Sequence, residues 1–254
     1  MNPVLETLFK HQCIRKYKNQ PVEQEKLELI IKASQSGPNW CNGQHVSIIA
    51  VRDPERKKVF AKLCSNQEFI STCGVFLVFC ADFYRTGLAF EMHENKGFIE
   101  KFASQVDALL VGGHEVGIFM ENAIVAAESM GLGTVPIGSI RLHSLEVCKE
   151  LDLPKYVIPI CGLCIGYPDE NPGVKPKLPS KAIFFDEKYD TTSLKEKIAE
   201  YDVEYQNYLA TRGSNERNST WSKTVSSFYP IIYGKYDEDY ELFKKQGYIS
   251  IDKK

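Results

Sequence analysis

Between Lys101 and Met130 apolar residues recur at helical spacing, at Val106, Leu109, Leu110, Phe119, Ala123, Ile124 and Ala127, over a span much too long for a strand. A single helix there would run about 40 Å, long enough to be a central packing element of a domain or of a dimer. Gly112-Gly113 leaves a second reading open, two helices meeting at the pair, and in both the glycines permit close backbone approach. Asp107, His114, Glu115, Glu121, Asn122 and Glu128 interrupt the apolar run, so it cannot span a bilayer cheaply. His114 is expected to be a structural residue of this helix.

The rest of the chain must wrap around such an element. Gly74 to Cys80 is a continuous apolar run of strand length, the mark of a central strand buried on both faces. Val46 to Val51 and Val157 to Gly166 are further strands. A short helix ends near His11, and a second follows Pro21 with Leu27, Ile30 and Ile31 on it until Ser36-Gly37-Pro38-Asn39 stops it. Ser193 to Glu196 is a capping-box pattern, opening a helix with Leu194, Ile198, Tyr201, Tyr205 and Tyr208 that Gly213 should close. Helices and strands alternate without βαβ regularity. The expected fold is therefore α+β, a mixed central β-sheet wrapped by helices, with a small helical excursion and an extended C-terminal segment. Residues 1–190 form the expected core, and 191–254 a helical excursion and tail packing on the core or a partner subunit. The tail holds Trp221, Phe228, Tyr229, Ile231, Ile232 and Tyr233 and is too short to stand as a domain.

Charge and cysteine usage exclude several functions. Lys plus Arg number 31 against 33 for Asp plus Glu, so the net charge of -2 offers no field for a phosphate backbone, and nucleic acid is not an expected partner. Met1 to Gln12 does not read as a secretory signal. The eight cysteines are scattered, and Cys80 and Cys161 sit inside apolar runs, so a reduced, cytoplasmic protein with no membrane partner is expected. Gly131-Leu132-Gly133 meets Pro136 where a dinucleotide fingerprint needs its third glycine, and it ends a helix instead of opening one. The five histidines lack metal-ligand spacing, and no metal is expected. Cys161 and Cys164 have the Cys-x-x-Cys redox spacing but lie within a strand, as structural cysteines would; a thiol oxidoreductase is the competing reading.

Cationic and polar groups in irregular segments are the remaining candidates. His11-Gln12-Cys13-Ile14-Arg15 follows a helix end, and Lys175 and Lys177 alternate with prolines after a strand. Two lysines two apart in extended backbone can point the same way and hold a phosphate, or remain a solvated pair. Asn39, Trp40 and Gln67 line a pocket or sit on the surface.

These segments, taken in order, resemble the flavin-dependent nitroreductase family. The resemblance rests on His11-x-x-Ile14-Arg15, Pro38-Asn39-Trp40-x-Asn42-x-Gln44, Phe79-Cys80-Ala81-Asp82-Phe83, Ala126-Ala127-Glu128-Ser129-x-Gly131-Leu132-Gly133, Ile137-Gly138 and Gly162-Leu163-Cys164-x-Gly166-x-Pro168. Asn171-Pro172-x-x-Lys175-Pro176-Lys177-Leu178-Pro179 and Thr211-Arg212-Gly213-Ser214-Asn215-x-Arg217 with Trp221 point to its oxygen-insensitive, NADPH-using nitroreductase and flavin reductase branch, and nearly the whole chain is covered.

The resemblance implies a nitroreductase-like fold and a homodimer with FMN in clefts built from both subunits, reducing nitroaromatics, quinones or free flavin by ping-pong hydride transfer from NADPH. It places His11, Gln12 and Cys13 at the phosphate and ribityl chain, Arg15 at the pyrimidine edge and Gln67 at the ring. The branch commonly has Arg then Ser where Gln12 and Cys13 stand, so the phosphate grip is expected to lean on His11, Lys175 and Lys177. Pro38, Asn39 and Trp40 match a serine-rich stretch from the partner subunit that covers the flavin. The backbone of Pro136, Ile137, Gly138 and Ser139 runs along the ring, and Arg212 and Arg217 match arginines that read the 2′-phosphate of NADPH. Arg15 stabilises negative charge on the ring, and no protein side chain is an expected catalytic nucleophile. A flavin-binding or redox-sensing protein with little turnover, its cleft blocked by Trp40, is the second reading.

Overall fold

The computed structural model describes residues 1–93, 97–212, 216–232 and 234–248. In chain order the elements are α1 (Pro3–Phe9), α2 (Gln24–Gln35), β1 (Val46–Val51), α3 (Pro54–Leu63), α4 (Phe69–Thr72), β2 (Val75–Asp82), α5 (Tyr84–Met92), α6 (Phe98–Ala103), α7 (Val106–Ser129), β3 (Gly133–Ile137), α8 (Ser144–Glu150), β4 (Val157–Gly166), α9 (Leu194–Thr211), α10 (Trp221–Ile232) and α11 (Glu238–Lys245). They divide into two units, Met1–Glu170 with Tyr236–Lys254, and Asn171–Lys235.

In the first unit the strands form one sheet in the order β1-β2-β4-β3. All three ladders are antiparallel, so the parallel component of the expected mixed sheet reduces, among the described residues, to an isolated bridge between Cys13 and Thr134. β2 is central and buried throughout. Phe76, Val78 and Cys80 face a core with Phe60 of α3 and Ile70 of α4, while Leu77 and Phe79 face a second core with Ile30 of α2 and Phe119 and Ala123 of α7. Alternation along one strand thus supplies both cores. β3 carries Pro136, which its edge position tolerates because one side of an edge strand needs no ladder donor.

The long helical run is one helix, α7, of 24 residues and about 36 Å. It begins later than the periodicity suggests: the Ser104 amide closes α6 on the Glu100 carbonyl and Gln105 is extended, so Lys101 to Ala103 belong to α6. The two glycines do different things. A Cβ at Gly112 would lie 2.7 Å from the Ala81 Cβ, so this glycine lets α7 press on β2, whereas one at Gly113 would meet nothing within 4 Å. By length and composition α7 could cross a membrane, but Ala108, Val116, Ala123 and Ala127 are buried against the rest of the unit, as in the core helix of a folded domain. His114 is exposed on this helix.

The second unit is built on α9 and α10. Tyr201, Tyr205 and Leu209 of α9 form a small core with Leu178 and Trp221. The Asp202 carboxylate caps the start of α10 by accepting from the Ser222 amide at 2.8 Å. Ser193 is the N-cap of α9 as the capping box implies, but its backbone is not extended (φ -107°, ψ 3°) and its side chain makes no cap bond. Gly213, read as the stop signal of this helix, lies outside the described residues, as do Ser214, Asn215 and Tyr233.

Candidate functional site

Short β3 organises most of the predicted site residues of the first unit. At its start, Cys13 bridges Thr134 and the Ile14 amide donates to the Thr134 carbonyl at 2.9 Å. Ile14 fits there because Gly133 has no Cβ: one would lie 2.6 Å from the Ile14 side chain. On the other side the Glu170 carboxylate accepts the amides of Arg15 and Lys16, and Tyr17 bridges Pro168. The segment from His11 to Tyr17 is thereby fixed along β3, with Arg15 exposed and its guanidinium reaching the Cys13 carbonyl at 3.4 Å. Gln12 and Cys13 are half-buried.

His11 is pinned through both ring nitrogens. Nδ1 lies 2.8 Å from Glu128 Oε1 and Nε2 lies 3.8 Å from the Cys13 sulfur. The Thr134 hydroxyl donates to the same Glu128 oxygen at 2.8 Å. Cys13 and Glu128 together raise the His11 pKa to about 10, against the opposing effect of burial, so the ring is an imidazolium at neutral pH.

At the other end of β3, Pro136 and Ile137 lead into a 3-10 turn, Gly138–Arg141. Gln67 Nε2 donates to Ser139 Oγ at 2.9 Å, and that hydroxyl donates to the Cys64 carbonyl at 3.2 Å. Gly138 faces open space: a Cβ there would meet nothing within 4 Å. Cationic His11 and Arg15 at one end and the Gln67–Ser139 pair at the other are spaced by a strand of about 15 Å.

Pro38, Asn39 and Trp40 do not join this group. They precede β1, at the opposite edge of the sheet from β3. Their loop is built with unusual care. Cys41, Asn42 and Gln44 all have positive φ (49°, 56° and 52°), and Asn39 Oδ1 accepts the Gln44 amide at 3.0 Å. Fully buried Glu115 of α7 accepts the Trp40 amide at 2.8 Å and the His45 amide and Nδ1 at 3.0 Å each. Arg85, paired with Asp82 at 2.6 Å, closes the loop by donating to the Gln44 and Val46 carbonyls. Trp40 remains 44% exposed, against Phe102 at 6.2 Å between ring centroids.

In the second unit Lys175 and Lys177 are exposed, and the carbonyl of Pro176 between them is held by the Tyr201 hydroxyl at 2.8 Å. Arg212 lies over the Tyr208 ring at 5.6 Å with its Nε buried and without a hydrogen-bond partner among the described residues, and Arg217 is exposed with its amide bonded to the Leu209 carbonyl at 3.2 Å. The Cys161 and Cys164 thiols are both pushed up by burial, Cys164 strongly, so neither has the thiolate character a thiol oxidoreductase requires.

Sequence reasoning gave no role to Glu128, Glu170, Thr134, Glu115 or His45. Glu115 left a signal, a carboxylate on the same helical stripe as Val111, Phe119 and Ala123, and Glu128 stood within the Ala126-to-Gly133 motif without a role.

The sequence pattern of the nitroreductase family matches residues 8–167, and that of the nitroreductase family C-terminal domain matches 175–250. The chain is 40% identical over 250 residues to an NAD(P)H FMN reductase of Bacillus subtilis strain 168, covering 98% of each sequence. It is 38% identical over 226 residues to the oxygen-insensitive NADPH nitroreductase of Salmonella typhimurium, covering 89% of this chain and 90% of that one. Among solved structures it is similar to NfrA2 of B. megaterium, with a TM-score of 0.92, 42% identity, and coverage of 98% of this chain and 99% of that chain.

Proposed function

This chain belongs to the nitroreductase family, and from that premise we propose how its own residues carry the chemistry. It is an enzyme, an NADPH-dependent oxidoreductase that works through FMN. Bound FMN supplies the hydride acceptance and donation, and the protein supplies position, charge and a shaped cavity.

The residues along β3 fit that cofactor. Open space over Gly138, beside the Gln67–Ser139 pair, suits a flat ring running along Pro136, Ile137, Gly138 and Ser139. Arg15 offers a fixed positive charge for the pyrimidine edge, where negative charge develops. His11 offers a cation for the phosphate, with Gln12 and Cys13 beside it on the ribityl chain. Lys175 and Lys177 are assigned to an FMN phosphate as point charges on a backbone held by Tyr201. Arg212 and Arg217 are assigned to the 2′-phosphate of NADPH, which guanidinium groups bind through paired N–H donors.

Pro38, Asn39 and Trp40 are assigned to the flavin of a second copy, which makes the working unit a homodimer. Donor and acceptor then use one cleft in turn, a ping-pong order, with nitroaromatics, quinones or free flavin as small-molecule acceptors. The scattered cysteines fit a reducing, cytoplasmic setting.

The observation that carries this reading is the pairing along β3 of a charged His11–Arg15 end with a polar Gln67–Ser139 end over open Gly138. The purified protein should show the visible spectrum of FMN and bleach under anaerobic NADPH, with steady NADPH oxidation when a nitro compound is added. Protein that takes up no FMN would overturn the assignment, and bleaching without turnover would support the sensing alternative.

A further inference from the structure

Glu128 stands in the last turn of α7, at the negative end of the helix dipole, and a carboxylate there is unfavourable unless something offsets it. Two donors offset it. The Thr134 hydroxyl from β3 and the His11 ring both point at Oε1, each at 2.8 Å, and the carboxylate is only 13% exposed. An imidazolium satisfies both the carboxylate and the negative helix end, and a neutral ring satisfies them poorly. The arrangement fixes more than the charge. With Nδ1 committed to Glu128, Nε2 is the nitrogen turned toward Cys13 and the segment read as the phosphate grip, where Gln12 brings no charge of its own.

We infer that Glu128, steadied by Thr134, is a positioning residue for flavin binding: it keeps His11 a cation and aims Nε2 at the FMN phosphate. This rests on the assignment of His11 to that phosphate. The titratable and charged groups facing His11 are Glu128 from α7 and, on its own segment, Cys13 and the nearby Arg15, while β3 contributes neutral Thr134.

The test is the FMN dissociation constant, read by flavin fluorescence between pH 6.5 and 8.5, with riboflavin as the ligand that lacks phosphate. The FMN phosphate is already largely dianionic above pH 7, its second ionisation lying near 6, so changes at higher pH report the protein. In the wild type His11 stays charged over this range and FMN affinity is nearly flat. In Glu128→Gln the Cys13 contact remains but the carboxylate's share of the upward shift is lost, so the His11 pKa falls and FMN binding should weaken between pH 6.5 and 8.5 where the wild type stays flat, while riboflavin binding does not change. Thr134→Val, which leaves the carboxylate paired with His11 alone, should weaken FMN binding without adding pH dependence. Nitrogen-15 spectra of the histidines, assigned with His11→Asn, should show both His11 nitrogens protonated at pH 8.5 in the wild type and a His11 titration displaced to lower pH in Glu128→Gln. A neutral His11 in the wild type, or a Glu128→Gln profile parallel to the wild type, overturns the inference. Wild-type protein that binds no FMN overturns the cofactor assignment instead, and the histidine spectra distinguish the two failures.

Discussion

Glu115 accepts three N–H donors at a point that water does not reach, and those donors set the path of the chain from Asn39 to His45. Truncating it leaves two backbone amides and the His45 ring facing a dry gap, so Glu115→Ala should cost about 3–5 kcal/mol of stability, as breaking a buried charged network does. The check is the denaturation midpoint together with Trp40 emission; a variant as stable as the wild type with unchanged emission would show that the loop holds its shape unaided. Arg212 and Arg217 make a different kind of prediction because their contact would be to a ligand. Arg212→Ala and Arg217→Ala should each lower kcat/KM for NADPH by roughly tenfold to a hundredfold and leave NADH nearly unaffected, as loss of a phosphate contact implies. Equal losses with both coenzymes would mean that the arginines maintain the loop. Legibility at this scale was uneven for a physical reason. His11, Gln67 and Arg15 stand in short segments whose chemistry is visible locally, but Glu128 acquires its role from a partner 117 residues away, and sequence spacing carries no trace of that pairing.

At the scale of elements, α7 supplies a controlled comparison within one helix. Gly112→Ala places a methyl 2.7 Å from the Ala81 Cβ and 3.3 Å from the Phe83 ring, inside a packed core, and should destabilise by about 1–3 kcal/mol. Gly113→Ala meets open space and gains helix propensity, so it should stabilise by about 0.5–1 kcal/mol. Equilibrium denaturation of the pair measures both signs, and two changes of the same sign would contradict the close approach of α7 to β2 at Gly112. That helix and β2 were readable from the sequence because their periods persist over many residues. Three other features were not. β3 is five residues long with Pro136 inside it and has no period to detect, although it aligns the site. The start of α7 was obscured because α6 carries the same apolar spacing up to the break at Ser104 and Gln105. The Ser193 side chain leaves its capping role unfilled because the backbone there is helical in ψ.

For the whole molecule the question is how the proposed contact of Asn39 and Trp40 with a flavin could be made. β1 and β3 are opposite edges of a four-stranded sheet, three strand spacings or about 14 Å apart, so the loop before β1 and the groups along β3 face different surroundings in one chain. The same unit leaves large apolar side chains bare, among them Phe9 of α1 at 63% and Val106 and Leu110 of α7 at 72% and 64% exposed. Apolar exposure of this kind is offset by association. In the proposed homodimer a twofold axis would put the loop of each copy against the β3 edge of the other, giving two sites, each needing both chains. Complementation tests this directly. A chain carrying Arg15→Ala and one carrying Asn39→Ala with Trp40→Ala should each be impaired alone, because each spoils both of its sites. When equal amounts are unfolded together and refolded, half of the dimers are mixed and each mixed dimer holds one site with every group intact, so about a quarter of wild-type activity should return. If all these groups served a flavin within one chain, no mixture could rebuild a complete site, and activity at the mean of the two parents would refute the shared cleft.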